Sequence, residues 1–272
     1  MKRLFTLVLV AVMAVGVASA WGRLGHATVA KIAENHLTKK AKKQIAEYMH
    51  GESIVKWASY ADDCKPELLV DLGFEPSNAK RFITYPHTFE ANDDCTAYTS
   101  NRKGDEYVKN CIYYVEKIAS ELKNNADKMS DSVRVASIAL IVHFVGDMHC
   151  PEHIRYPEDQ TIGYYPVYFG NEKVRYHSLW DTQIIAVRNP WGFMDTAAML
   201  DTYNKKQIAE VVAGTPYDWG YQSASASRKV HQVKEGEKLD KRLYLNEYMP
   251  LAESQIRNAG YRLAKVLNDI FR

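Results

Sequence analysis

His143 and Asp147 stand four residues apart, and His177 and Asp181 repeat that spacing. On a helix, positions four apart share a face, so each pair can meet at one point. His153 follows ten residues after His143, just past Pro151, where a helix must end or bend. The residues around both pairs are largely apolar. Imidazole and carboxylate groups in apolar surroundings are costly unless they pair or bind a cation. One such pair reads as a satisfied core hydrogen bond. Two pairs with a further histidine point instead to a metal held by nitrogen and oxygen donors. Zinc suits that donor set. No H-E-x-x-H occurs, so the common metalloprotease motif is absent.

The elements that must carry these residues read mostly as helix. Apolar residues recur at helical spacing over residues 27–37, 107–122 and 251–270. Thr38 predicts the cap of a helix reaching residue 49, with Lys39, Lys40, Lys42 and Lys43 on a solvated face. Shorter helices are expected over 54–61, 176–187 and 194–203. Residues 132–148 are apolar nearly all round, as in a buried central helix. Strand patterning is scarce; Val167-Tyr168-Phe169 before Gly170-Asn171 predicts a hairpin fragment. Two long irregular stretches, about 69–104 and 154–175, read as elaborate loops, which in a small domain are often functional. The expectation is one all-α domain over 21–272 with two long loops and a metal cleft.

The chain has 272 residues, 46% apolar and 25% charged, which excludes a disordered scaffold. Its net charge of +2 excludes a protein that coats nucleic acid by bulk charge. Residues 1–20 read as a signal peptide: Lys2 and Arg3, an apolar run over 4–17 too short to span a membrane, then Ala18-Ser19-Ala20. Cleavage after Ala20 predicts a periplasmic or secreted protein beginning at Trp21, with equal numbers of basic and acidic residues. That compartment permits disulfides among Cys64, Cys95, Cys111 and Cys150, which allow three complete pairings. A Cys95–Cys111 bridge is expected, tethering a long loop to a buried helix. Cys64 and Cys150 flank candidate metal ligands and could pair, or one could act as a soft extra ligand.

Three further segments add donors. Trp21-Gly-Arg-Leu-Gly-His26 offers a terminal amine, a carbonyl and an imidazole. Trp57-Ala-Ser-Tyr-Ala-Asp62-Asp63-Cys-Lys65 and Tyr85-Pro-His87-Thr-Phe-Glu90 complete the set. With these motifs in order, the chain resembles the S1/P1 family of zinc-dependent single-strand nucleases. The most specific parts are the Trp at the cleavage site, H-x-x-x-D-x-H-x-P-x-H and H-S-x-W-D. Trp219-Gly-Tyr-Gln-Ser223 is similar to a late W-x-x-E-S element, with Gln222 for Glu. The resemblance implies three zinc ions per chain. Asp62, His87 and His143 would hold one; His153, His177 and Asp181 a second; the Trp21 amine and carbonyl with His26 a third; Asp147 would bridge the first and third. Five histidines, three aspartates and two Trp21 groups make ten donors. That is too few for three closed tetrahedral sites and too many for two, so open positions remain, as catalysis requires.

The resemblance further implies hydrolysis of phosphodiesters in single-stranded DNA and RNA to 5′-phosphorylated products, with possible 3′-nucleotidase activity. Asp62 and Asp147 would be catalytic, and Lys65 would contact the phosphate. Thr88, Phe89, Glu90 and Tyr176 mark the expected substrate subsite. Thr88 replaces an aromatic that stacks a base in the family, Phe89 or a nearby Tyr could take its place, and Glu90 keeps the acid that reads a base edge. Tyr176 stands where an Asn usually precedes the ligand His, and Cys150 where the family usually has Gln. His149 could orient a ligand; His36, His50 and His231 read as surface or helix-end residues. Two other readings compete: a zinc phospholipase C-like phosphodiesterase of the same superfamily, and a non-enzymatic zinc-binding protein of the envelope. No stable protein partner is implied.

Overall fold

A computed structural model describes residues 21–63, 87–97, 110–158, 163–187 and 191–272. The expected signal segment, Cys64 and Lys65 lie outside the described residues, as do parts of both expected loops. The architecture is mostly helical, as the sequence predicts. Helix α1 (Gly22–Asn35) and α2 (Lys39–Tyr48) are followed by a short α3 (Tyr60–Asp63), then α4 (Cys111–Asn125) and α5 (Asp131–Asp147). The expected helix over 54–61 is corrected: turns occupy 54–59, and the helix begins only at Tyr60.

Side-chain oxygens set several of the helix starts. Thr38 accepts from Ala41 N, Asn110 from Tyr113 N and Ser130 from Val133 N, each satisfying an otherwise orphaned amide. Helix α5 is the centre of the core: every residue from Ala136 to Asp147 is buried. Because it is covered on all sides, its polar residues cannot reach water, and they must find partners inside the protein.

The second half forms the wall around α5. Residues Tyr176–Ser178 (α6) run into a π-helical turn over Leu179–Gln183 and then α7 (Ile184–Ala186). Such turns are rare and concentrate at functional sites; this one carries Asp181. Helices α8 (Phe193–Leu200), α9 (Lys205–Val211) and α10 (Pro216–Ser227) precede α11 (Lys241–Ile270). Helix α11 starts ten residues before the expected 251 and passes through Pro250. The Asp240 cap and buried Tyr244 hold its first turns. Tyr244 Oη accepts from Trp180 Nε1 at 2.8 Å and meets Tyr176 Oη at 2.8 Å, tying α11 to the π-helical segment. Helix α1 packs along α11, where a Cβ on Gly260 would come within 2.6 Å of Ile32.

Strands are few and short. β1 (Phe89–Glu90) pairs in parallel with β2 (Ile154–Arg155), in register Phe89↔Ile154. The expected hairpin forms: β3 (Pro166–Phe169) turns at Gly170, with φ +64°, into β4 (Glu172–Arg175). β5 (Lys238–Leu239) joins β3 in parallel. Among the described residues no helix is long and apolar enough to cross a membrane.

The expected Cys95–Cys111 bridge is not formed: both cysteines are free. Cys95 sits in a turn with φ +67° beside Tyr156, whereas Cys111 begins α4, fully buried, in the field of Asp147. The two thiols face different neighbours.

Candidate metal centre

Four elements converge at the C-terminal end of α5. His143 and Asp147 occupy one face of it, as their spacing predicts, with His143 Nε2 3.4 Å from Asp147 Oδ2. His143 Nδ1 lies 2.9 Å from the carbonyl oxygen of Ala58, so it donates there, and Nε2 is left as a lone-pair donor. That nitrogen also lies 3.7 Å from Asp62 Oδ1, brought in by α3. From α1, His26 Nε2 reaches 3.4 Å from Asp147 Oδ1, and its ring stacks on that of His143 at 4.1 Å. The stacking requires Gly146: a Cβ there would lie 2.6 Å from His26 Nδ1.

A second group lies beside the first. Past Pro151, His153 Nδ1 is 3.7 Å from Asp181 Oδ1, and His177 Nε2 is 3.0 Å from Asp181 Oδ2. The β1–β2 pairing delivers His87 to this point, its ring 5.1 Å from that of His153. Trp21 is buried close by: a Cβ on its neighbour Gly22 would lie 3.1 Å from the Asp181 carbonyl oxygen. The Trp21 carbonyl accepts from Gly25 N and keeps a second lone pair.

The electrostatics of the cluster favour a positive charge among its donors. Burial, then the charges of Asp62 and Asp181, push the Asp147 carboxyl well above its usual range. Burial pushes Asp181 up to about 6, against the pull of His177. His26 is held well below the ordinary imidazole value by burial and by His143. His153 is lowered by burial and then by His177, His87, His26 and His143. Those mutual effects put both groups in one cluster. Both ring nitrogens of His26 and His153, and both oxygens of Asp147, lack a hydrogen-bond partner among the described residues. Buried polar atoms are rarely left so. Neutral imidazoles beside buried carboxylates, with their donor atoms converging, fit a divalent cation with nitrogen and oxygen preference. Two sets draw their donor atoms within 4.8 Å of one another: His26, His143 and Asp147; and Cys150, His153 and Asp181.

The expected substrate positions separate. Thr88 and Glu90 are half-buried at the edge of the His87 segment. Phe89 is 1% exposed and turned into the core, and Tyr176 is fully buried with its hydroxyl donating to Val230 O, so neither presents a face to a base. Tyr164, 46% exposed, packs against the His177 ring at 4.6 Å instead. His149 turns away from the cluster: Nδ1 donates to Val145 O, and Nε2 accepts from Arg262, which also bonds Gln222. His231 is buried rather than on the surface, bonded to the carbonyl of Pro151. Two contributors escape sequence reading. The Ala58 carbonyl leaves no side-chain trace. Gly146 had one available signal, a glycine inside an otherwise large apolar run.

The family model described as S1/P1 nuclease matches residues 21–272. Among similar proteins, Endonuclease 2 of Arabidopsis thaliana is 24% identical over 92% of this chain and 90% of its own length. Endonuclease 4 of the same plant is 23% identical, covering 100% of this chain and 96% of that protein. Endonuclease 5 is 25% identical over 93% and 91%.

Replacing Gly146 by Ala tests the close packing of His26. An alanine gains about 0.5–1 kcal/mol in a helix interior, whereas overpacking a core costs about 1–3 kcal/mol. Gly146→Ala should therefore unfold at lower urea than the parent when both are held in chelator. A midpoint equal to the parent's or above it would show that His26 yields without cost.

Proposed function

The chain belongs to the S1/P1 nuclease family and is a hydrolase of phosphodiester bonds, and from that premise we propose that it is an exported, zinc-dependent endonuclease and 3′-nucleotidase of single-stranded DNA and RNA. Signal cleavage after Ala20 would release it to the periplasm or the exterior as a chain running from Trp21 to Arg272. The observation that carries the reading is the cluster of buried imidazoles and carboxylates with converging donor atoms, in which both ring nitrogens of His26 and His153 and both oxygens of Asp147 lack hydrogen-bond partners among the described residues.

Three zinc ions account for the donor set. Asp62, His87 and His143 would hold one, and His153, His177 and Asp181 a second. The Trp21 amine and carbonyl with His26 would hold the third, with Asp147 shared. Bound there, zinc supplies Lewis acidity toward phosphoryl oxygens and acidifies water. The chain's own residues do the rest. The Ala58 carbonyl fixes the His143 tautomer, so Nε2 faces the cluster. Asp147, between His26 and His143, joins the two halves of the first group. Lys65 brings a positive charge to the phosphate and stabilises charge that develops on it, on the order of 2–4 kcal/mol. Glu90 accepts a hydrogen bond from a base edge, beside Thr88. Products would carry 5′-phosphates.

The direct test offers the zinc-loaded protein single-stranded DNA and, separately, a phosphatidylcholine substrate. Release of 5′-mononucleotides, abolished by chelator and restored by zinc, is the expected result. Released phosphocholine without nucleotides would move the reading to a phospholipase C-like enzyme. Full zinc loading with neither product would leave a zinc-binding protein.

The Trp21 amine gives a second prediction. As a free α-amine, with a pKa of about 7.7–8.0, it can lose its proton to zinc; as a peptide amide it has no lone pair to give. A chain beginning at Trp21 should cleave single-stranded DNA at full rate, and one carrying a single added glycine should be nearly inactive though folded. Equal rates, with the extra residue confirmed by mass, would remove the terminus from the mechanism.

A further inference from the structure

We propose that Cys150 is a thiolate ligand of the metal held by His153, His177 and Asp181, so that this position carries sulfur as well as nitrogen and oxygen donors. The inference goes beyond the zinc reading above and rests on it. Cys150 is wholly buried and free. Its Sγ lies 3.9 Å from Asp181 Oδ1, and it shares a 4.8 Å envelope with a ring nitrogen of His153 and a carboxylate oxygen of Asp181. Donor atoms around a tetrahedral zinc, at about 2.0–2.3 Å from it, stand about 3.3–3.8 Å apart. Only small side-chain shifts separate the observed spacing from that one.

The partners point the same way independently of the cysteine. His153 is fully buried with both ring nitrogens lacking hydrogen-bond partners among the described residues. Cys150 follows α5 and precedes Pro151, which starts the short 3-10 turn that carries His153. Cys150 N donates to Asp147 O, and His153 N to Cys150 O, which fixes the Cys150 backbone between two residues of the cluster, while its thiol donates to Asp181 Oδ1.

Binding would release the thiol proton to solvent and leave the thiolate on the metal. With His153, His177 and Asp181, that makes four protein donors, enough to close a tetrahedron. The added negative charge holds the ion more tightly and leaves it less positive charge to offer a phosphate. Substrate contact then falls mainly to the group around Asp147.

Cobalt(II) reports the ligand directly, because a thiolate ligand produces an intense near-ultraviolet charge-transfer band that nitrogen and oxygen donors do not. The protein is stripped with chelator, loaded with cobalt(II), and its spectrum recorded. The band is expected in the wild type and in Cys64→Ser, and lost in Cys150→Ser while the visible bands of bound cobalt remain. A cobalt-loaded wild type without the band, or a band surviving in Cys150→Ser, overturns the proposal whether or not DNA is cleaved. Failure to bind any metal would overturn both this inference and the zinc-dependent function, and the visible bands separate the two failures. Should Cys150→Ser not fold, the wild-type and Cys64→Ser spectra decide alone.

Discussion

Burying an ionised carboxylate inside a protein costs several kcal/mol unless opposite charge and hydrogen bonds answer it. Asp147 sits at the end of a helix covered on every side, with Asp62 and Asp181 close enough to raise its pKa further. Removing that cost by hydrogen bonds would need donors, yet its neighbours are imidazoles whose own protons are disfavoured by burial. A divalent cation satisfies carboxylates and neutral imidazoles at once. Much of the surrounding architecture serves to hold these groups in place.

That requirement explains features that have no purpose as packing alone. Gly146 gives up a side chain so that the His26 ring can lie on that of His143. The two-residue β1–β2 pairing is too short to stabilise much by itself, but it sets His87 beside His153. The π-helical turn at Leu179–Gln183 lets Asp181 meet both His177 and His153. The Tyr176–Tyr244–Trp180 hydrogen bonds lock that turn against the long final helix.

The sequence shows this centre clearly because helical spacing is arithmetic: His143 and Asp147, and His177 and Asp181, meet as four-residue pairs should. Thr38 is equally legible, since a hydroxyl before a lysine-rich run has one local use. Other parts are not. The helices Lys205–Val211 and Pro216–Ser227 are short and lack a clean apolar stripe; their readable signals are the capping pairs Asn204 with Gln207 and Thr215 with Asp218. Pro250 suggests a helix boundary that tertiary packing overrides. Phe89 looks available in sequence because an aromatic beside His87 is wanted there, but strand alternation turns it inward. The Cys95–Cys111 bridge is a related case: an exported chain would permit it, yet both thiols are free and lie beside different neighbours, which spacing does not carry.

The most direct test of a cation-centred fold is an anomalous difference map from crystals of the zinc-loaded protein, recorded on both sides of the zinc absorption edge. The account predicts peaks inside the cluster: between His143 and Asp62, beside His26 and Asp147, and among His153, His177 and Asp181, each vanishing below the edge. A map with the cluster empty and its carboxylates hydrogen-bonded to water or to one another would contradict it.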